Sequence, residues 1–143
     1  MLFIFPNRPL LTRDLIIGLR LHLYVRVSQL NCRSFLSKFP LLEQLLLYEW
    51  RSDFMFFSET WLRPYSTLEI HFRIDNYKIF RRDRLGRSGG GLLVYSKNSL
   101  DTCRRHDLED DRIERLTVEL STKRTNTNDK CFFLLLSTSR SVG

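Results

Sequence analysis

The sequence predicts an α+β fold in which a single amphipathic helix lies against strands, and three observations carry that prediction. Leu21 to Val27 alternates, with Leu21, Leu23, Val25 and Val27 on one face and His22, Tyr24 and Arg26 on the other, the pattern of a half-buried strand. Phe35, Phe39, Leu42, Leu46 and Trp50 recur at steps of four and three and so share one helical face. Asp53-Phe-Met-Phe-Phe57 is a short continuous apolar run, as expected of a strand covered on both faces.

The remaining elements follow in order. Pro40 falls inside the helical pattern; proline is tolerated in a first turn but not deep in a helix, so the helix is predicted to start near Pro40 or to kink there. Pro64 to Thr67 marks a loop, and Asn76 to Phe80 reads as a strand. The glycines of Leu85-Gly-Arg-Ser-Gly-Gly-Gly91 form a turn into the apolar Leu92-Leu-Val-Tyr95, which makes the two strands a hairpin. Asp101 to Asp111 reads as a charged loop. Ile113, Leu116, Val118 and Leu120 supply a strand, Ser121 to Asp129 a polar surface loop, and Cys131 to Leu136 a last strand.

A chain of 143 residues has room for one domain, since domains run to about 100–200 residues. Hydrophobic residues at 43% against 27% charged favour a packed core over disorder. The net charge of +7 favours polyanionic partners. Part of it is concentrated between His71 and Gly90, where Arg73, Lys78, Arg81, Arg82, Arg84 and Arg87 face only Asp75 and Asp83.

Cys32, Cys103 and Cys131 are odd in number and widely spaced, and His22, His71 and His106 are scattered. No zinc-ligand spacing arises, and a reduced intracellular chain, nuclear or cytoplasmic, is the simplest expectation. Met1 to Pro6 lacks the basic start of a signal peptide. Leu10 to Val27 carries Arg13, Asp14, Arg20 and Arg26, too many charges for the ~18 apolar residues of a membrane span, so no membrane partner is expected.

The strongest chemical signal is Ser58-Glu59-Thr60-Trp61 directly after the buried apolar run. A carboxylate at a strand end opens into a cleft on a rigid backbone, and Mg²⁺ takes such a hard oxygen ligand; a solvated glutamate at a strand terminus is the plain alternative. Leu30-Asn31-Cys-Arg-Ser34 likewise places an amide at the end of a strand. Asn31 there can orient a phosphate or support a metal-bound carboxylate, or simply cap a helix or turn.

Leu30 to Ser34, Asp53 to Leu62, Tyr77 to Arg84 and Gly89 to Tyr95, in that order, together resemble the endonuclease/exonuclease/phosphatase superfamily, in the branch carried by non-LTR retrotransposons. The resemblance spans about Leu21 to Leu136. It implies a truncated part of a four-layer α/β sandwich, with the strands at Leu21–Val27, Asp53–Phe57, Tyr77–Arg81, Gly90–Tyr95, Leu116–Leu120 and Cys131–Leu136 in one sheet and the Pro40–Trp50 helix on its face. It also implies that Glu59 matches the metal-binding glutamate, Asn31 a catalytic asparagine, and Arg81, Arg82, Arg84 and Arg87 a basic motif that contacts DNA. For the arginines a solvated charged hairpin is the alternative.

The departures carry equal weight. Where the branch has a Tyr-Arg-Pro-Pro turn, this chain has Ser139-Arg140-Ser141-Val142. The family's later Gly-Asp-x-Asn and Ser-Asp-His segments have no counterpart in the sequence, and residues 1–20 match nothing in the family. The expectation is an N-terminal part, 21–143, of a Mg²⁺-dependent DNA endonuclease that nicks target sites for reverse transcription, catalytically impaired alone and prone to self-association through an uncovered apolar sheet face. The alternative is a nucleic-acid-binding remnant that does not cut. A third substrate class, phospholipids or inositol phosphates, is disfavoured by the arginine hairpin.

Overall fold

A computed structural model describes residues 2–4, 15–18, 24–65, 68–86, 88–122 and 130–137. Its strands are β1 (Leu2–Ile4), β2 (Leu15–Gly18), β3 (Tyr24–Asn31), β4 (Phe54–Ser58), β5 (Tyr77–Arg82), β6 (Leu92–Lys97), β7 (Asp101–Arg104), β8 (Arg115–Thr122) and β9 (Lys130–Ser137). The helix α1 (Phe35–Gln44) continues into a wider π-helical segment, Leu45–Trp50. The α+β class predicted from sequence is the class observed. Among the described residues no helix is long and apolar enough to cross a membrane.

The strands form two sheets, in the orders β2-β3-β4-β6-β5 and β1-β9-β8-β7, which corrects the single sheet expected. The cause is in the apolar pattern of β3, β4 and β6. Val25, Val27, Phe54, Phe56, Leu92 and Val94 bury one face of the first sheet against Leu116, Val118 and Leu120 of β8. Met55, Phe57, Leu93 and Tyr95 bury the other face against Phe35, Leu42 and Leu46 of the helical layer, with Phe72 and Ile74. A sheet apolar on both faces must be covered twice; here a helix covers one side and a second sheet the other.

The predicted β5–β6 hairpin is present and antiparallel, with Tyr77 opposite Lys97 and Arg82 opposite Leu92. The first predicted strand lies further along the chain, from Tyr24 to Asn31, because Leu30 and Asn31 pair with Phe57 and Ser58; residues 21–23 fall outside the described ones. The N-terminal stretch given no structure from sequence contributes β1, parallel to β9, and β2, antiparallel to β3. Part of the expected charged loop is the strand β7, paired with β8. Asp-Thr-Cys-Arg shows no apolar alternation, and pairing rather than hydrophobicity makes it a strand.

The helix starts five residues before Pro40, a second correction. The Ser34 and Phe35 amides donate to the carbonyls of Glu59 and Thr60, at 3.0 and 2.9 Å, and the Phe35 ring is fully buried. This tertiary anchor outweighs the cost of about 3 kcal/mol that an interior proline brings, and Pro40 itself sits on the exposed side.

Arg82 of β5, Arg104 of β7 and the Thr117 amide of β8 converge on Glu109, whose side chain is 6% exposed. Burial pushes the Glu109 carboxyl up. The hydrogen bonds from Arg104 and Thr117 and the charges of Arg104 and Arg82 outweigh burial and leave it below its ordinary value of 4.5. A carboxylate depressed in the folded state contributes stability present above the unfolded value and lost as pH falls through the folded one. Urea midpoints should therefore decline as pH drops below about 4.5. Glu109→Gln should be less stable at pH 7 and lose less on acidification; an equal acid loss in both proteins would locate the effect elsewhere.

Candidate functional site

The parallel pair β3–β4 brings two chain segments to one end of the first sheet. Asn31 is the last residue of β3 and lies opposite Ser58, the last of β4; Glu59 comes next. The two expected site residues are thus adjacent at the same end of neighbouring strands, with Asn31 exposed and Glu59 partly exposed.

Backbone hydrogen bonds join three segments there. The Cys32 amide donates to Ser58 O at 3.0 Å, and Ser34 and Phe35 to the next two carbonyls. From the other side, Thr60 N donates to Gly91 O at 3.3 Å and Trp61 N to Gly90 O at 2.8 Å. The Asn31–Phe35 turn and the glycine turn before β6 therefore clamp the Glu59 segment between them.

The backbone at this end is unusual. Arg33, Ser34, Glu59 and Trp61 have φ of 41°, 74°, 56° and 56°, values rare for residues with a Cβ. Such conformations cluster at functional sites, where surrounding structure holds them. The αL conformation at Glu59 turns the chain sharply out of β4. Its carboxylate Oε2 accepts from the Trp61 indole Nε1 at 3.1 Å and the Gly90 amide at 2.9 Å.

Glu114, which sequence reading did not single out, completes the support. One carboxylate oxygen accepts from Gly91 N and the other from Arg84, so the approach to β8 is tied to the glycine turn. Nothing in the local sequence around Glu114 signals this, because its partners lie 23 and 30 residues away.

The hairpin arginines have other partners. Arg81 pairs with Asp83 and lies over the Phe72 ring at 5.5 Å. Arg82 reaches Glu109, Asp111 and the carbonyls of Asp110 and Arg115. Arg84 pairs with Glu114. Their side chains are only 14%, 18% and 24% exposed, so they are not solvated charges, and Arg87 lies outside the described residues. A cleft of about 760 Å³ is lined by Arg81, Arg82, Asp83, Arg104, His106 and Glu109, among others; neither Asn31 nor Glu59 lines it. Two cations lie just beyond the end of β3: Arg33, which is exposed, and Lys38, whose Nζ donates to the carbonyls of Cys32 and Arg33.

Cys32 is inert. The residue is 2% exposed, its thiol donates to Ser58 O at 3.3 Å, and burial pushes the pKa up to about 12, away from the thiolate that reactivity requires. Among the described residues no group of three or more His, Cys, Asp or Glu side chains could hold a metal ion. The strand ends themselves offer, among the described residues, the Glu59 carboxylate and the Asn31 amide.

In comparison with known proteins, the model of a family described as "Endonuclease/Exonuclease/phosphatase family" matches residues 28–136. The match runs from within β3 to within β9 and includes both strand ends. No curated protein and no solved structure matches the chain.

Proposed function

Because the chain belongs to the endonuclease/exonuclease/phosphatase family, we propose that its strand-end corner is the metal-binding half of a phosphodiester-hydrolysing site, with Glu59 as the metal ligand and Asn31 beside it. The observation that supports this reading is the pairing of Asn31 with Ser58 at one end of parallel strands, which sets Glu59 next to Asn31. The family gives the chain a nuclease- or phosphatase-type hydrolase ancestry. Within it we assign the DNA-nicking, retrotransposon branch, from the ordered motifs at Leu30–Ser34, Asp53–Leu62, Tyr77–Arg84 and Gly89–Tyr95.

One carboxylate fits Mg²⁺, which takes one or two carboxylates and completes its octahedron with water and substrate phosphate oxygens. A bound divalent ion supplies Lewis-acid polarisation of the scissile phosphate. The residues of this chain do the rest of that half. Glu59 would hold the ion, oriented by Trp61 and Gly90. Asn31 would hydrogen-bond a phosphate oxygen or a metal-bound water, and exposed Arg33 would offset phosphate charge. No histidine stands at this corner among the described residues: His71 lies in a 3-10 turn and His106 in the turn after β7.

Metal polarisation, water activation and leaving-group stabilisation act as a unit, and such units lose most of their effect when members are missing. The 143-residue chain is therefore expected to leave supercoiled plasmid at its background nicking rate in Mg²⁺, with Glu59→Ala little different. Metal binding is the positive test. Mn²⁺ should broaden the amide resonances of 31–34, 59–61 and 89–91, and Glu59→Gln should abolish that broadening. Robust Mg²⁺-dependent nicking by the monomer, lost in Glu59→Ala, would overturn the impairment. Broadening spread over the acidic residues at large would overturn the site.

Binding of nucleic acid without cleavage is the competing reading. The ion pairs of Arg81, Arg82 and Arg84 argue against those side chains as its phosphate contacts, since each would have to exchange a carboxylate for a phosphate.

A further inference from the structure

The geometry points to Trp61 as a positioning residue for Glu59: its indole N–H and the Gly90 amide form a two-donor seat that fixes the carboxylate in the orientation in which it receives a cation. The inference rests on the reading of Glu59 as a metal ligand.

Four observations build the seat. Both donors meet the same oxygen, Oε2, at 3.1 and 2.9 Å. Glu59 and Trp61 share φ of 56°, two residues apart, so the backbone is bent at each of them and the indole edge reaches the carboxylate. Trp61 N donates to Gly90 O at 2.8 Å, which holds the two donor-bearing segments in register. At Gly89 an added Cβ would lie 3.6 Å from Trp61 Nε1 and 3.7 Å from Glu59 Oε2, so the glycine turn packs against both partners.

The choice of tryptophan has a physical reason. Trp61 is 49% exposed, so core burial alone does not account for its placement, whereas the hydrogen bond does. Indole is a donor only and carries no charge. A lysine or arginine at this position would orient the carboxylate and also neutralise it, competing with the cation. A neutral donor orients it without bringing a positive charge of its own. Fixing the orientation beforehand also removes rotamer entropy that binding would otherwise cost.

The test uses the 143-residue chain and Mn²⁺ as probe, with affinity read from water-proton relaxation. Removing a hydrogen-bond partner of a metal ligand typically weakens the metal by about 10–100-fold, and Trp61→Phe is expected to fall in that range. A change under about two-fold, against that expectation, would overturn the role of Trp61 while leaving Glu59 as ligand. The chain has two tryptophans, so the two indole N–H resonances can be assigned without altering position 61. In Glu59→Gln the Trp61 indole proton should move and that of Trp50 should not. An unmoved Trp61 resonance would overturn the contact even where Trp61→Phe fails to fold. If Mn²⁺ binds parent and Glu59→Gln equally, Glu59 is not a ligand and the positioning role falls with it, a result the indole shift separates from loss of the contact.

Discussion

Phe35→Ala is expected to remove about 3–5 kcal/mol of folding stability, the range for deleting a fully buried aromatic side chain. Phe35 is the first residue of α1, and its ring has 0% exposure. It meets Phe57 of β4 edge-on with centroids 5.0 Å apart, Phe72 at 5.8 Å, Phe39 at 5.7 Å and Tyr95 of β6 at 6.2 Å. The same residue anchors the helix start through its amide to Thr60 O. Removal would leave a cavity bounded by four rings and loosen the turn that follows Asn31. Since domains have only about 5–15 kcal/mol in hand, the variant should unfold at much lower urea. A loss under about 1 kcal/mol, well below that range, would show that the helix does not pack on the sheet as described.

Gly91→Ala should also be severe. Gly91 has φ of 90°, and an added Cβ would collide with the buried Thr60 hydroxyl, a short side chain that cannot swing aside. The left-handed backbone costs a residue with a Cβ about 1–2 kcal/mol, and overpacking adds about 1–3 kcal/mol. Gly86 gives the control. Its φ is 73° but nothing lies within 4 Å of an added Cβ, so Gly86→Ala should show the backbone cost alone. Gly90→Ala is intermediate in kind, because its new methyl would meet the Arg84 guanidinium, the far end of a long side chain that can shift at the expense of its pairing with Glu114. Equal losses at 86 and 91, read from urea midpoints, would mean that the glycine turn is not pressed against the Glu59 segment.

The parts of this molecule legible in its sequence are those where a local pattern decides. The run Phe54–Phe57 reads as a short strand covered on both faces, and it is one; its place between β3 and β6 comes from the pairing. The strand-end positions of Asn31 and Glu59 were legible in the same way, although Asn31 is the last residue of β3 and only Glu59 lies directly beyond its strand. The second sheet was not. Leu116, Val118 and Leu120 alternate as they would in either sheet, and only their packing against Phe54, Phe56 and Val94 assigns them.

The hairpin arginines were illegible in a different way. Composition counted Arg81, Arg82 and Arg84 as part of a positive stretch; Arg81 pairs with its neighbour Asp83, but the acidic partners of Arg82 and Arg84, at Glu109, Asp111 and Glu114, stand 27 to 30 residues further on. Charge pairing at that separation is set by the tertiary fold. The helix start was misplaced because proline chemistry is local, whereas the anchoring of Ser34 and Phe35 on the Glu59 and Thr60 carbonyls is not.

On the proposed function, Asn31 and Glu59 form one corner that receives a divalent cation. Anomalous scattering from Mn²⁺ soaked into crystals of the chain tests it most directly. An anomalous peak is expected in the first coordination sphere of the Glu59 carboxylate, with Asn31 reached directly or through one metal-bound water. A peak confined to the acidic group around Glu109 and Asp111, with none at Glu59, would contradict it.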